Sequence, residues 1–173
     1  MDNITEKDIG SSLRKVEKRS LPTLDVGPAL TGDAQAIKDL SKEWREVWQT
    51  LGFMCIINHG ISDELISDME EAAKQFHDLP HEVKMKIPIN SHMKGYTPAH
   101  ASVATKSKFH KNRKLDTVEC LIVATDFAQD NPNVVSEKQF YGEMPWLSEG
   151  ILPGFRSVCE KYMNEVTELG KKL

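Results

Sequence analysis

The most informative stretch of this sequence is Gly52-Phe-Met-Cys-Ile-Ile-Asn-His-Gly-Ile61. It opens with a continuous apolar run of strand length and closes on Asn58-His59-Gly60. An apolar run without polar alternation is typical of a strand that is covered on both faces. Ser62 follows as an N-cap residue, with Glu64 close to the capping-box position. A buried strand that leads directly into a helix is therefore predicted here.

Apolar residues at steps of three and four predict three helices around this strand. The first spans residues 33–50, with Asp33 as a plausible N-cap. The second starts after Ser62 and is ended or kinked by Pro80. The third is expected to have Pro153 at its first helical position, because proline fits there without losing a hydrogen bond.

Two further segments are predicted to be strands. Apolar and polar residues alternate along Leu21–Val26, and the segment Asp116–Thr125 contains the mostly apolar run Val118–Ala124. The even-numbered positions of this run are all apolar: Val118, Cys120, Ile122 and Ala124. This face is therefore expected to point inward. Cys55 and Cys120 are accordingly expected to be buried and inert, and residues 88–105 are interpreted as a loop.

Three short strands scattered among helices predict an α+β fold whose sheet is incomplete. Such strands make a poor sheet alone, and their unpaired edges invite pairing with other strands. One interpretation is a small, complete α+β domain. The other is that the strands complete a sheet supplied by residues outside this chain. In both cases residues 1–20 are expected to form a polar leader, and residues 21–173 a single domain.

The composition excludes several classes of partner. The 173 residues carry a formal net charge of −4, which does not favour nucleic acid or an anionic membrane. Residues 1–20 lack an apolar signal core, and the longest apolar run, residues 53–57, is far too short to span a bilayer. The three cysteines contain no CxxC pair. A reduced, cytoplasmic protein with neither a membrane nor a nucleic-acid partner is therefore expected.

Five segments, in the same order and at the same spacing, resemble the N-terminal region of the isopenicillin N synthase-like iron(II)- and 2-oxoglutarate-dependent dioxygenases. They are Leu21-Pro-Thr-Leu-Asp-Val26, Gly52–Ile61 with its Asn-His-Gly-Ile ending, Phe76-His-Asp-Leu-Pro80 with Glu82 and Lys84-Met-Lys86, Gly95-Tyr96 with Pro98, and Pro153-Gly-Phe-Arg156. The resemblance covers about residues 20–173.

The resemblance implies a specific architecture. The family fold is a double-stranded β-helix, a jelly-roll barrel flanked by helices, to which the N-terminal part lends a few strands. It implies that the strands of this chain normally complete such a barrel, and that the catalytic half of the barrel is absent from this chain. The expected activity of the intact protein is the oxidation of a small organic substrate, with Fe(II) and 2-oxoglutarate as cofactors.

The family's iron and 2-oxoglutarate ligands are not in this chain. In the family, a His-x-Asp … His set holds iron and leaves positions open for co-substrates, and an Arg-x-Ser pair grips 2-oxoglutarate. Here the residues two places after the six histidines are Ile61, Leu79, Val83, Lys94, Ser102 and Asn112. No Arg-x-Ser occurs. We therefore assign no catalytic, cofactor-binding or metal residue, and expect a C-terminal catalytic half as partner.

Two residues are predicted to line the substrate pocket, Tyr96 and Ile122. In the family, the Gly-Tyr loop approaches the substrate, and the strand matching residues 118–124 borders the cavity; Cys120 is a further candidate on that strand. The alternative for Tyr96 is a packed ring with a satisfied hydroxyl. The alternative for Ile122 and Cys120 is ordinary core.

Other polar residues have simpler interpretations. His59 is expected to end its strand, and His77 and His81 are poor metal ligands because Pro80 lies between them. The basic stretch 106–114 is either a solvated loop or a contact for an anion or a nucleic acid. A second function stays open for the chain as a whole, a stand-alone, non-catalytic binding module derived from the same half-domain.

Overall fold

The computed structural model describes residues 21–101 and 115–173. The helices are α1 (Gly27–Leu30), α2 (Ala34–Thr50), α3 (Asp63–His77), α4 (His81–Lys84), α5 (Pro132–Val135) and α6 (Phe155–Lys172). The strands are β1 (Thr23–Asp25), β2 (Cys55–Ile57), β3 (Gly95–Thr97) and β4 (Cys120–Ile122). The chain divides into two compact units, Met1–Gly60 and Ile61–Leu173, each described by itself below.

The first unit, described from residue 21, is a parallel strand pair joined by helices. β1 and β2 pair with Leu24 opposite Ile56, and a parallel pair needs a crossover connection, which α1 and α2 supply. The predicted cap of α2 is confirmed, because the Asp33 side chain accepts hydrogen bonds from the backbone N–H groups of Gln35 and Ala36. Leu24 and Val26 are buried.

The prediction that β2 is covered on both faces is wrong. Cys55 is exposed, and the side chains of Phe53 and Ile57 are 71% and 47% exposed. Within the described ranges β2 pairs with β1 alone, and a two-stranded sheet with its crossover helix cannot cover the apolar residues of both faces. Cys55 is therefore not the buried thiol that the apolar run predicted.

The second unit has its core between α3 and α6. Phe76 stacks on Phe155 with 5.6 Å between ring centroids, and both residues are buried. The Ser62 side chain caps α3 by accepting a hydrogen bond from the N–H of Leu65, as predicted. α6 begins at Phe155 with Gly154 as N-cap, so Pro153 lies outside the helix rather than at its first position.

An antiparallel pair, β3 with β4, lies against this core. Gly95 pairs with Ile122 and Tyr96 with Leu121, so the predicted loop 88–105 contains a strand that its weak periodicity did not reveal. The inward face of β4 is also opposite to the prediction. Leu121 packs against the core, whereas Cys120 and Ile122 are exposed.

Two predicted features lie outside the described residues, the polar leader 1–20 and the whole basic stretch 106–114. Among the helices of residues 21–101 and 115–173, none has the length and apolar character needed to cross a membrane.

Candidate functional site

Tyr96 is held deep in the second unit by the geometry of the residue before it. Its side chain is 1% exposed. Gly95 adopts φ +115°, and a Cβ there would lie 2.6 Å from the carbonyl oxygen of Pro88. Only glycine tolerates both the positive φ and this approach. The Gly-Tyr pair therefore turns the Tyr96 ring into the core, edge-on to Phe76.

The Tyr96 hydroxyl belongs to a buried polar network centred on Glu119, at the start of β4. The Tyr96 hydroxyl donates to Oε2 of Glu119, and Nδ1 of His77 lies 2.7 Å from Oε1. The Lys84 ammonium donates to both carboxylate oxygens, at 2.9 and 3.0 Å, and to the backbone carbonyl of His77. One carboxylate thus connects α3, α4, β3 and β4.

The network shifts the pKa values of its two acidic groups, the Glu119 carboxyl and the Tyr96 phenol. Hydrogen bonds from Tyr96, His77 and Lys84 lower the pKa of Glu119 to about 2. Burial, together with the hydrogen bond to Glu119, raises the pKa of Tyr96 to about 12. At neutral pH the carboxylate is therefore ionised and the phenol protonated. Both groups therefore keep one protonation state near neutral pH, and their hydrogen bonds hold the surrounding elements together.

Tyr96 and Ile122 do not share a surface. Tyr96 is the cross-strand partner of Leu121, and directly opposed residues lie on one face of a sheet while their neighbours lie on the other. Ile122, 36% exposed, is on the outer face with Cys120. Contact of either residue with substrate stays a prediction.

Lys94 forms a second buried anchor that the sequence analysis missed. Its side chain is 1% exposed, and its ammonium donates to the backbone carbonyls of Thr125 and Gly142 and lies 4.9 Å from the ring centroid of Phe127. Burial lowers the pKa of Lys94, and the charge of Asp126 opposes that shift. A lysine between Met93 and Gly95 in a loop gave no periodic signal that could predict this burial.

Asp126 organises the segment that leads to α6. Its carboxylate accepts hydrogen bonds from the backbone N–H of Met144, the indole of Trp146 and the guanidinium of Arg156. Arg156 also pairs with Glu160 one turn further along the helix, and this hydrogen bond raises the pKa of Arg156. Each polar group here is occupied by a partner within the chain.

The described residues of the second unit line open clefts, among them clefts of about 680, 560 and 220 Å³. The first of these is lined mainly by polar side chains, among them Asn90, His92, Glu137 and Glu143. The other two flank Trp146 and Glu160.

The described residues do not fit an iron site. Across residues 21–101 and 115–173, no three His, Cys, Asp or Glu side chains come together in a way that could hold a metal ion. His77 is engaged with Glu119, and the ring of His81 lies 6.4 Å from that of Tyr96. The residues therefore offer neither the two-histidine, one-carboxylate set nor another metal cluster.

Comparison with known proteins agrees with the segments that the sequence singled out. Residues 21–149 match the family described as non-haem dioxygenase in morphine synthesis N-terminal. Azadirone synthase LFS of Melia azedarach is 33% identical over 129 residues, which are 75% of this chain and 37% of that protein. Isopenicillin N synthase of Streptomyces griseus is 27% identical, over 88% of this chain and 45% of its own length.

The fold is also that of a known structure. A full-length Neurospora crassa protein, crystallised in complex with alpha-KG, superposes with a TM-score of 0.67 at 22% identity, covering 91% of this chain and 46% of that protein. The helices and strands of the described residues confirm the α+β prediction, and the absence of the catalytic half of the barrel stays a prediction. The chain spans less than half the length of each of these relatives. It belongs to the N-terminal region of the isopenicillin N synthase-like iron(II)- and 2-oxoglutarate-dependent dioxygenases.

Proposed function

We propose that this chain is the N-terminal part of an iron(II)- and 2-oxoglutarate-dependent oxygenase that oxidises a small organic substrate. Family membership over residues 21–149 supports the class of reaction. Among the relatives, 2-oxoglutarate-dependent dioxygenase citB of Monascus ruber is 30% identical over 86% of this chain and 44% of its own length. The cytoplasmic location expected from the sequence stays a prediction.

The observation that carries the proposal is the contrast between family membership and missing ligands. The described part of the chain holds no metal-binding cluster, and neither family ligand pattern occurs in the sequence. We propose that a C-terminal catalytic half, outside these 173 residues, supplies the iron and 2-oxoglutarate ligands. The 173-residue chain alone is then inactive.

Exposed apolar residues in and beside the strands also support the proposal of a separate catalytic half. Phe53 and Ile57 beside the first strand pair, and Val118 and Ile122 beside the second, are 36–71% exposed. Full burial of such a side chain contributes roughly 1.5–3 kcal/mol, so each of these residues forgoes a part of that free energy while it stays exposed. In the proposed intact protein these residues are covered by the catalytic half, and Ile122 and Cys120 of β4 form part of the substrate wall.

The mass of the native protein tests this proposal. An immunoblot of source cells with an antibody against this chain is expected to show a band of about twice 19.5 kDa or more, because relatives extend well beyond the matched region. The purified chain is expected to release no succinate from 2-oxoglutarate in the presence of Fe(II). Succinate release by the chain alone would contradict the proposal that the C-terminal half supplies the iron and 2-oxoglutarate ligands.

The same immunoblot distinguishes the oxygenase proposal from the alternative function, a stand-alone binding module. A single native band at 19.5 kDa, from a monodisperse and cooperatively melting product, would identify a stand-alone binding module. In that case the oxygenase proposal fails for this chain.

A further inference from the structure

The segment around β4 could place either of two faces against the core. Its even-numbered residues, Val118, Cys120, Ile122 and Ala124, are all apolar, whereas the odd-numbered ones include the charged Glu119. Hydrophobic pattern alone favours the even face inward. The structure has the opposite arrangement. Leu121 and Val123 pack on the core, and Val118 is 65% exposed.

A small displacement separates the two arrangements. Because side chains alternate along a strand, a slip of one residue exchanges the two faces completely. The partner strand offers little resistance, because β3 and β4 share only three paired positions, from Gly95 with Ile122 to Thr97 with Cys120. Apolar residues stand on both faces of this segment, since Leu121 and Val123 are on the inward one, so apolar burial alone does not fix the observed register.

The polar network on the odd face supplies that selection. The Lys84 side chain is 8% exposed and its ammonium contacts Glu119, while the Tyr96 hydroxyl has Glu119 as its acceptor inside the core. A slip of one residue would turn the carboxylate away and leave a buried ammonium and a buried phenol without their partner. An uncompensated buried charge is strongly unfavourable, and so is an unpaired buried hydroxyl.

We propose that Glu119 sets the register of β4, and that its contacts with Lys84 and Tyr96 keep the apolar residues Val118, Cys120 and Ile122 on the outer face against their hydrophobic preference. Glu119 acts as a positioning residue, since it determines which side chains of β4 are presented outward. The inference does not rest on the proposed oxygenase function.

The thiol of Cys120 reports the register directly. Cys159 is fully buried and Cys55 is exposed, so in a C55S chain Cys120 is the thiol open to a water-soluble reagent. The C55S parent is expected to react rapidly at one thiol with dithiobis-nitrobenzoate. Slow reaction of that parent would show that Cys120 is not outward and would overturn the proposal.

The decisive variant is K84M/Y96F in the C55S background, because it removes the two buried donors that Glu119 accepts from and leaves neither an ammonium nor a phenol unpaired. Glu119 keeps a charge that favours water, so this charge and the apolar even-numbered residues together favour the slipped register. If nine-tenths of the molecules adopt the slipped register, the labelling rate of Cys120 falls about tenfold. The matched control, D39L/K42M, replaces an exposed ion pair of α2 and should leave the rate unchanged. A folded K84M/Y96F chain that labels at the parent rate would mean that the contacts of Glu119 stabilise the chain without selecting the register, which would overturn the proposal.

A crosslink gives an independent readout. Thr97 faces Cys120 across the strand pair, and directly opposed positions are close enough for a disulfide. T97C should therefore oxidise readily in the C55S parent and poorly when K84M/Y96F is added. If K84M/Y96F alone does not fold, oxidative refolding of the combined variant decides. Recovery of a cooperative melt by the disulfide supports the proposal, because a covalent link then replaces the lost contacts of the carboxylate. Failure to recover overturns it.

Discussion

The two strand pairs of this chain are stabilised by different interactions. β1 and β2 pair through backbone bonds such as the Val26 N–H to the Ile57 carbonyl, at 3.1 Å, with Leu24 and Val26 buried beneath them. β3 and β4 also pair through the backbone, but side chains connect them as well, with the Glu119 carboxylate at the centre. The first pair is specified by apolar burial and the second by a polar network, so substitutions should damage them in different ways.

The largest effect is expected from E119A, which removes the centre of the polar network. Truncation leaves the Lys84 ammonium buried without its carboxylate. We expect a loss of about 3 kcal/mol in the free energy of unfolding, at the lower end for broken buried pairs because the Glu119 side chain is 32% exposed. Urea unfolding measures the loss, and hydrogen exchange should show it first in β3 and β4.

A matched control for this substitution is E168A. Glu168 pairs with Lys171 on the surface of α6, with both side chains more than 60% exposed. Exposed pairs contribute little, so E168A should change stability by no more than about 0.5 kcal/mol. Equal losses for E119A and E168A would mean that the network is no more than a surface pair.

A smaller effect is expected from V26A in the first unit. Val26 is 0% exposed, and removing two buried methyl groups costs roughly 2 kcal/mol once the cavity is included. The exchange of β1 and β2 amides should accelerate, whereas that of β3 and β4 should not. V135A is the control, because Val135 is 69% exposed. Faster exchange in β3 and β4 as well would show that the two pairs do not respond separately.

The cap of α2 should contribute less again. D33A removes the oxygen that accepts from the N–H groups of Gln35 and Ala36, and loss of such a cap costs about 1 kcal/mol. D33N retains an acceptor oxygen and should preserve nearly all of the stability in the same thermal melts. If D33N is as damaging as D33A, charge near the helix terminus matters more than the hydrogen bond.

Local signals in the sequence predicted the three long helices and the positions of the first two strands, but not the short helices α1 and α5. Asp33 and Ser62 are caps whose side chains act within three residues, and helix periodicity depends only on neighbours along the chain. Such features need no knowledge of distant contacts. The matched family segments added the class of fold, because they occur in a fixed order.

The polar anchors could not be predicted in the same way. Glu119 lies 35 residues from Lys84 and 23 from Tyr96, so nothing local shows that its face is inward. For Tyr96, the interpretation that the structure favours is a packed ring with a satisfied hydroxyl, which the sequence left open beside substrate contact. The one signal in the sequence at position 119 was a charged residue within an otherwise apolar segment. The role of this residue depends on partners that only the fold brings near.

The last prediction concerns the stability of the second strand pair in acid. The effect is the smallest at ordinary pH, but it is the most diagnostic of this pair. The folded pKa of Glu119 is about 2, below its usual value of 4.5. A carboxyl with a depressed folded pKa contributes stability that is present above the unfolded pKa and is lost as pH falls through the folded one. Stability of the parent chain should therefore change little from pH 7 to 5 and decline between pH 4.5 and 2. E119Q cannot titrate, so its stability should fall less over that interval in urea titrations at each pH. Parallel curves for the two chains would mean that other carboxyls dominate the acid response and that Glu119 is not strongly coupled to its partners.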